Sequence, residues 1–279
     1  MAQEQAVVVR SLEATAHWTA AVRAAETARP DGLFHDPWAD LLSGPEGRAW
    51  IEQRSPESVL PIILRTRYFD EWLERVTGRD AIRQVVLMAA GLDTRAYRLA
   101  FPGDTRLFEL DRSAVLEHKA AILRAADALP RCDRRVVEAD LTEPWADALN
   151  AAGFRQGQPT AWLLEGFLFY LPGEALVRVL DGVTALAGPG SCMGFDMINE
   201  AMLTSPWTRT WVEMQAKAGA PWIGALDDPV GFLAARGWRA VLTQAGQPDA
   251  NHGRWTLPVL PTTAPEMPHD WFVTAVREG

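Results

Sequence analysis

The chain has few residues of several types, and each scarcity excludes a class of protein. Its 279 residues include two cysteines, Cys132 and Cys192, far apart in the sequence, so neither a disulfide scaffold nor a cysteine-based metal site is expected. The five histidines form no closely spaced pair, and we predict no bound metal. The sequence has no run of about eighteen apolar residues, so we expect no membrane span.

The amino terminus and the charge balance narrow the class further. Residues 1–10 lack the basic region and long apolar core of a secretory signal, which, with two isolated thiols, predicts a cytoplasmic protein. The net charge of −9, with no basic cluster among aromatic residues, argues against nucleic acid as a partner. The composition therefore predicts a globular domain that binds neither membrane nor nucleic acid.

Short apolar stretches alternate with helical patterns along most of the chain. This alternation predicts an α/β fold with a largely parallel sheet and helices on both faces. Strands are predicted near residues 84–89, 105–110, 133–138, 160–166, 191–197, 238–243 and 271–276. Helices are predicted near residues 11–29, 62–76, 93–100, 113–129, 145–152, 173–187 and 229–236.

The two ends of this pattern suggest a division of the chain. We predict a helical cap over residues 1–80 and a cofactor-binding domain over residues 81–279. After the fifth strand, at about residues 198–227, a proline-broken helical stretch rich in tryptophan and methionine interrupts the alternation. We expect this insertion to act as a lid over the ligand.

The turn after the first predicted strand is the most informative segment. Ala89, Ala90 and Gly91 follow an apolar strand, and Asp111 ends the second strand twenty residues later. An open α/β sheet holds an adenosine cofactor in this way: small residues let the backbone approach, and the acid accepts from ribose hydroxyls. Both nicotinamide and S-adenosylmethionine sites use this pattern. The alternatives are a turn without a ligand and an aspartate that caps the helix beginning at Ser113.

Five further candidate residues follow strands or lie on the helix before the sheet. Asp140 and Leu141 follow the third strand and are candidates for adenine contacts, although an aspartate there can also cap its own turn. Glu165 ends the fourth strand, where a buried carboxylate needs a cation, either from a ligand or from a buried arginine. Arg65 or Arg67 could bind a cofactor carboxylate, or could be a solvated residue of an amphipathic helix.

Five segments occur in the order and spacing of the leucine carboxyl methyltransferase family, which the chain resembles over about residues 60–200. AGLDTRAYRL is the most specific of them, and Ala89 stands where many members have glycine. The segments are 65–70 (RTRYFD), 89–99 (AAGLDTRAYRL), 108–111 (FELD), 139–141 (ADL) and 165–172 (EGFLFYLP).

The resemblance implies a fold, a cofactor and a set of roles. The fold would be the class I methyltransferase form of the Rossmann-like fold, with a seven-stranded sheet, and the cofactor S-adenosylmethionine. Arg65 or Arg67 would bind the methionine carboxylate and Glu165 the methionine end. The small turn, Ala89 and Gly91, would lie under the methionine backbone. Asp111 would bind the ribose, and Asp140 and Leu141 the adenine.

The expected reaction is methylation of a small molecule or short peptide of the kind made in secondary metabolism. A carboxylate acceptor is already ionised at neutral pH and needs no base, so we place it first, ahead of a phenol or alcohol. Candidate residues of the acceptor site are His17, Trp18 and Arg23 of the first helix, Tyr170, and Trp207, Arg209, Trp211 and Trp222 of the insertion. A hydroxyl acceptor would need a base, for which His17 and His252 are the candidates.

Two other functions are weighed against this one. A nicotinamide-dependent reductase is disfavoured because the three-glycine signature that brings a pyrophosphate to a helix is missing. A Tyr-xxx-Lys pair is also missing, since Trp72, Phe101 and Glu174 stand four positions after the three tyrosines. A non-catalytic protein that binds S-adenosylmethionine is disfavoured because each expected cofactor position holds a suitable residue.

Overall fold

Seven strands form one sheet in the described part of the chain. The computed structural model describes the backbone of residues 2–264 and 266–279, and the side chains of residues 15–264 and 266–279. All seven predicted strands are confirmed. They are β1 (Gln84–Met88), β2 (Arg106–Asp111), β3 (Asp133–Glu138), β4 (Ala161–Leu164), β5 (Cys192–Ile198), β6 (Trp238–Gln244) and β7 (Asp270–Arg277).

The order of the strands determines where a ligand can bind. Across the sheet the order is β3-β2-β1-β4-β5-β7-β6, with the first five parallel and β7 antiparallel to both of its neighbours. Chain order reverses between β1 and β4, which pair through Val86 and Trp162. Ligands of open α/β sheets bind beyond the carboxyl ends of the strands at such a reversal. We therefore expect the functional site at the carboxyl ends of β1, β2 and β4.

Ten α-helices lie in the described backbone. They are α1 (Ala2–Thr27), α2 (Ala39–Ile51), α3 (Pro56–Gly78), α4 (Arg95–Arg98), α5 (Ser113–Ala125), α6 (Ala146–Ala151), α7 (Gly173–Leu186), α8 (Glu200–Thr204), α9 (Arg209–Lys217) and α10 (Pro229–Ala234). The insertion after β5 is helical as predicted, since it contains α8 and α9. The division of the chain at residue 80 remains a prediction.

The amino-terminal helices differ most from expectation. The side chains of the predicted first helix before residue 15, including Leu12, lie outside the described residues. We expected α3 to begin after Pro61, but it begins at Pro56, because the Ser55 side chain accepts from the Ser58 N–H and proline suits the first helical position. No helix was predicted between residues 29 and 62, but this stretch contains α2, which bends at Gly44 with φ 59°.

Two apolar clusters cover the two faces of the sheet, because alternate residues of a strand point to opposite faces. Val86 packs in one cluster with α7, and Leu87 in the other with α3. Trp162 is fully buried in the first cluster and Phe69 in the second. In the part of the chain that is described, no helix is long and apolar enough to cross a membrane.

Candidate active site

A cavity of about 920 Å³ opens at the carboxyl ends of the strands, where the chain order reverses. Its size lies within the range of small-molecule sites. Of the eight cofactor residues named from the sequence, Arg67 does not reach the cavity. The others line it: Arg65, Ala89, Gly91, Asp111, Asp140, Leu141 and Glu165.

The turn after β1 is held by the end of β2. Oδ2 of Asp111 accepts from the Gly91 N–H at 2.7 Å, and Oδ1 accepts from the Arg112 N–H at 2.7 Å. Ala89 (φ 52°) and Gly91 (φ 46°) both adopt left-handed backbone conformations. Glycine adopts this conformation readily, whereas alanine is strained in it. Burial raises the pKa of the Asp111 carboxyl, and the two N–H donors partly offset this. The N-cap of α5 is Arg112, with no side-chain cap among the described residues, so Asp111 does not cap this helix.

The loop after β3 lies at the edge of the cavity. Oδ1 of Asp140 accepts from both the backbone N–H and the hydroxyl of Thr142, at 2.9 and 2.6 Å. The aspartate therefore caps its own turn, which was the alternative interpretation, and it also lines the cavity. Leu141 is buried beside it and offers an apolar surface.

The two candidate arginines of α3 point in different directions, because residues two apart on a helix are separated by about 200°. Arg65 lines the cavity and donates to Glu165 Oε1 at 2.9 Å and to Asp196 Oδ2 at 2.7 Å. Arg67 pairs with Glu71 at 2.6 Å and donates to the Leu33 carbonyl. Arg65 is thus placed to contact a cofactor, and Arg67 is not.

Glu165 forms the ion pair with buried arginines that the sequence analysis ranked second. Its Oε2 lies 2.7 Å from Arg95 Nη2, in addition to the contact with Arg65. Burial alone would raise the pKa of Glu165, but Arg95 and then Arg65 hold it below its usual value. Arg95, which the sequence analysis did not consider, is the first residue of α4, directly after the turn that follows β1. Glu165 still lines the cavity.

Sequence reasoning missed a cluster of arginine and aspartate residues at the cavity, in which Arg95 and Arg98 line the wall. Arg95 donates to Asp70 at 2.7 Å and also pairs with Asp93. Arg98 forms two hydrogen bonds to the same Asp70, at 2.5 and 2.7 Å. Arg95 and Arg98 both lie in the AGLDTRAYRL segment, but their shared partner Asp70 is twenty-five or more residues away in the sequence.

The end of β5 and the start of β7 add two acids that the sequence analysis did not select. Asp196 pairs with Arg65, and its Oδ1 accepts from the Gly166 N–H at 2.6 Å. Asp270 lies nearby, and burial, followed by the charge of Asp196, raises its pKa to about 7. Of the described side chains, seven acids and five arginines line the cavity, so acidic groups are in excess. No cluster suited to a metal ion occurs among the described histidines, cysteines and acids.

The predicted acceptor residues divide into two groups. Tyr170, Trp211 and Trp222 line the cavity, and Arg23 does so while donating to Asp36 at 2.8 Å and to the Leu92 carbonyl at 2.7 Å. Burial raises the pKa of Tyr170 to about 12, and its hydroxyl lies beside Trp222 and Thr15.

The other acceptor candidates do not line this cavity. Nδ1 of His17 bonds to the Leu42 carbonyl at 3.0 Å, so the ring faces α2. His252 lies in a separate depression, 3.9 Å from Glu71. Arg209 and Trp207 are exposed in the insertion, with Trp207 76% exposed, because their part of it faces solvent. The structure thus separates these four residues from the site.

Comparison with known proteins agrees with the fold and the motifs. A candidate S-adenosyl-L-methionine-dependent methyltransferase of Frankia alni is 39% identical over 282 residues, which is 95% of this chain and 94% of that protein. Another, from Streptomyces coelicolor, is 38% identical and covers 81% of this chain and 83% of its own.

Solved structures share the architecture. A candidate methyltransferase of Thermobifida fusca superposes with a TM-score of 0.60 at 18% identity, covering 93% of this chain and 94% of its own. Magnesium protoporphyrin IX methyltransferase of Synechocystis, solved with bound S-adenosylhomocysteine, gives 0.50 at 11% identity, over 86% and 97% of the two chains. At these identities the likeness shows the fold alone.

The family follows from the sequence match. The sequence profile of leucine carboxyl methyltransferases matches residues 16–184, which is more than half of the chain, and includes all five motif segments. With the close similarity to the actinobacterial relatives, this shows that the chain belongs to the leucine carboxyl methyltransferase family and is an S-adenosylmethionine-dependent methyltransferase.

Proposed function

We propose that this enzyme methylates an oxygen atom, in the first place a hydroxyl, of a small apolar molecule of secondary metabolism. The observation that carries the proposal is one cavity with two kinds of wall. Acidic and backbone groups lie at the strand ends, and aromatic side chains lie between the amino-terminal helices and the insertion.

The residues at the strand ends fit S-adenosylmethionine. The excess of acids over arginines suits a ligand with a sulfonium and an ammonium, and it opposes the pyrophosphate of a nicotinamide cofactor. Asp111 would accept from the ribose hydroxyls, Asp140 and Leu141 would contact the adenine, and Arg65 and Glu165 would hold the methionine end. Ala89 and Gly91 offer a backbone surface without large side chains.

When bound, S-adenosylmethionine supplies an electrophilic methyl group: its carbon–sulfur bond breaks as the acceptor's oxygen–carbon bond forms, and sulfur keeps the electron pair. The chain's own contribution is to align the acceptor and exclude water. Proximity and orientation of this kind are worth up to about 7–11 kcal/mol.

The acceptor half of the cavity is lined by aromatic rings from three parts of the chain. Trp18 of α1 stacks on Trp50 of α2, with ring centroids 5.2 Å apart. Trp211 and Trp222 of the insertion meet edge to face at 5.3 Å, and Tyr170 lies beside Trp222. A cavity with such walls favours a planar, apolar acceptor of small size.

The charges near this half favour a hydroxyl over the carboxylate that the sequence analysis placed first. Among the described arginines of the cavity, four are already paired with carboxylates: Arg23, Arg65, Arg95 and Arg98. The fifth, Arg112, directly follows Asp111 at the end of β2, on the side of the proposed ribose contact, so a carboxylate acceptor in the aromatic half would meet acids rather than this cation. A neutral hydroxyl avoids this repulsion.

Binding measurements test the proposed cofactor, and turnover measurements test the proposed acceptor. Isothermal titration with S-adenosylhomocysteine should give binding, and NADH and NADPH should give none; the reverse would contradict the cofactor assignment. Purified protein with methyl-labelled S-adenosylmethionine is then offered matched pairs such as 4-phenylphenol and biphenyl-4-carboxylic acid. We expect label in the phenols, and label in the acids alone would contradict a hydroxyl acceptor.

The aromatic wall has a matched pair of tryptophans for the same assay. Trp222→Ala should raise the KM for the labelled acceptor by about 10-fold or more, since burying an aromatic ring is worth about 1.5–3 kcal/mol. Trp207→Ala, in the same insertion but 76% exposed, should leave KM within about 2-fold. Equal effects of the two substitutions on KM would contradict the proposal that the aromatic side chains of the cavity bind the acceptor.

A further inference from the structure

Asp270 is placed where a proton acceptor for the reaction is needed. It is the first residue of β7 and pairs in register with Ile198, the last residue of β5. Both residues line the cavity, together with Tyr170 and Phe169, which border its aromatic half. The carboxyl group of Asp270 therefore lies between the strand ends and the aromatic rings.

The Asp270 carboxyl differs from the other acids of the cavity in its hydrogen bonds. Oδ1 is buried and has no hydrogen-bond partner among the described residues. By contrast, Asp111 and Asp196 accept from backbone N–H groups. Oε2 of Glu165 also lacks a hydrogen-bond partner among the described residues, but it lies 2.7 Å from Arg95 in an ion pair, and Oε1 accepts from Arg65. Leaving a buried carboxyl oxygen without a donor is costly. The missing donor can come from a hydroxyl on a ligand.

Charged groups around Asp270 favour its proton-accepting role near neutral pH. Asp196 on β5 repels its negative charge, and Arg65 on α3 attracts it. Glu165 and Tyr170, which follow β4, interact electrostatically with the same Arg65. The two ring nitrogens of His269, the residue before Asp270, form hydrogen bonds with Gln244 and with the Ala264 carbonyl. Burial and Asp196 together raise the pKa of Asp270 to about 7, so the carboxylate is present at neutral pH and holds a proton well.

Other bases are poorly placed for this role. None of the described histidines lines the cavity. Tyr170 lines it, but burial raises the pKa of its hydroxyl to about 12, so at neutral pH it can donate a proton and cannot accept one. Glu165 is held in its ionised form by two arginines and is a weaker base.

We propose that Asp270 is the general base of this methyltransferase and takes the proton of a hydroxyl acceptor on its carboxylate. The inference rests on the proposed function. As the acceptor oxygen gains its bond to the methyl carbon, its O–H bond breaks and the proton moves to the carboxylate. The carboxyl then returns the proton to solvent after the product leaves, so Asp270 ends each cycle unchanged.

The first test measures the protonation of the Asp270 carboxyl directly and needs no acceptor. Infrared difference spectra between about pH 5 and pH 9 should show a protonated-carboxyl band that disappears with a midpoint near 7. Asp270→Asn should remove this band, and Asp147→Asn, an exposed aspartate on α6, should leave it. If the substitution of Asp270 removes no titrating band in this range, the proposal is overturned.

The second test separates proton removal from folding and cofactor binding. S-adenosylhomocysteine should bind to Asp270→Asn within about 3-fold of wild type, while kcat for a neutral phenol falls about 100-fold or more. Pentafluorophenol is already ionised at neutral pH, so its methylation should fall far less. An equal loss with both phenols, or turnover of carboxylic acids alone, overturns the proposal. If wild type does not bind S-adenosylhomocysteine, the proposed function itself fails.

Discussion

Asp111 has a structural role and a proposed ligand role, and a thermodynamic cycle separates them. Its two oxygens accept from the Gly91 and Arg112 N–H groups, each at 2.7 Å, which fixes the turn after β1. In the proposed complex the same carboxylate also accepts from the ribose. Asp111→Ala removes both functions, so a loss of affinity alone would not tell them apart.

The cycle uses two proteins and two ligands. Wild type and Asp111→Ala are each titrated with S-adenosylhomocysteine and with its 2′-deoxy analogue, at a pH near 8 where the carboxylate is ionised. Damage to the turn affects both ligands alike and cancels, whereas a direct contact appears as a coupling between the carboxylate and the hydroxyl. A hydrogen bond to a charged group contributes about 1.5–3 kcal/mol, which is about 10- to 150-fold in affinity.

The expected coupling is therefore well above the error of calorimetry. Wild type should prefer S-adenosylhomocysteine to the deoxy analogue by at least about 10-fold, and Asp111→Ala should lose most of that preference. A coupling below about 0.3 kcal/mol would refute the ribose assignment, and Asp111 would then serve the turn alone. Circular dichroism of the variant checks that the sheet is intact.

Three further predictions concern the wall of the cavity. Arg65→Gln should weaken S-adenosylhomocysteine binding by about 10-fold or more in calorimetry, whereas Arg67→Gln, two positions along α3, should change it by less than about 2-fold. Above pH 7, the free energy of unfolding of Asp270→Asn should be higher than that of wild type by up to about 4 kcal/mol, and the difference should shrink toward pH 4. Urea unfolding at several pH values measures this difference. Ala89→Gly should be neutral or stabilising by up to about 1 kcal/mol in the same assay, because it relieves a left-handed alanine at the entropic cost of a glycine.

The sign of the Asp270 prediction follows from proton binding. Burial first, and Asp196 second, raise the pKa of this carboxyl in the folded protein to about 7, while in the unfolded chain it stays near 3.8. Between these values the folded state binds a proton that the unfolded state has released. Wild-type stability is fully present below about pH 4 and falls as pH rises to about 7. A difference between the two proteins that does not change with pH would contradict this reasoning.

The sequence predicted local features well. Strand positions follow from short apolar runs between turn residues, and the place of Gly91 and Asp111 at strand ends follows from those strands. Seven of the eight residues predicted to bind the cofactor line the cavity, because each lies within a few positions of a strand end or on the helix before the sheet. Such features depend on neighbouring residues and need no knowledge of the tertiary fold.

The misses have a common cause in long sequence separations. Arg65 meets Glu165 across 100 positions and Asp196 across 131 positions. These contacts exist because β4 and β5 are neighbours in the sheet, and the residue pattern of either strand alone does not contain that pairing. His17 failed as a candidate for a similar reason, since the face of α1 that meets the cavity depends on how α2 packs against it.

The acidic excess around the cavity is hard to explain by stability. Buried ion pairs recover little more than the cost of removing their charges from water, and an unpaired buried acid costs more. Burial nevertheless raises the pKa of both Asp196 and Asp270, the charge of Glu165 adds to the first and that of Asp196 to the second, and Arg65 is the cation that opposes both shifts. Binding of a cationic cofactor would explain the excess of negative charge around the cavity. A reaction step in which Asp270 takes up a proton would explain why this acid has no hydrogen-bond donor. Both explanations require the ligands to supply the positive charge and the hydrogen-bond donors that the protein leaves unpaired.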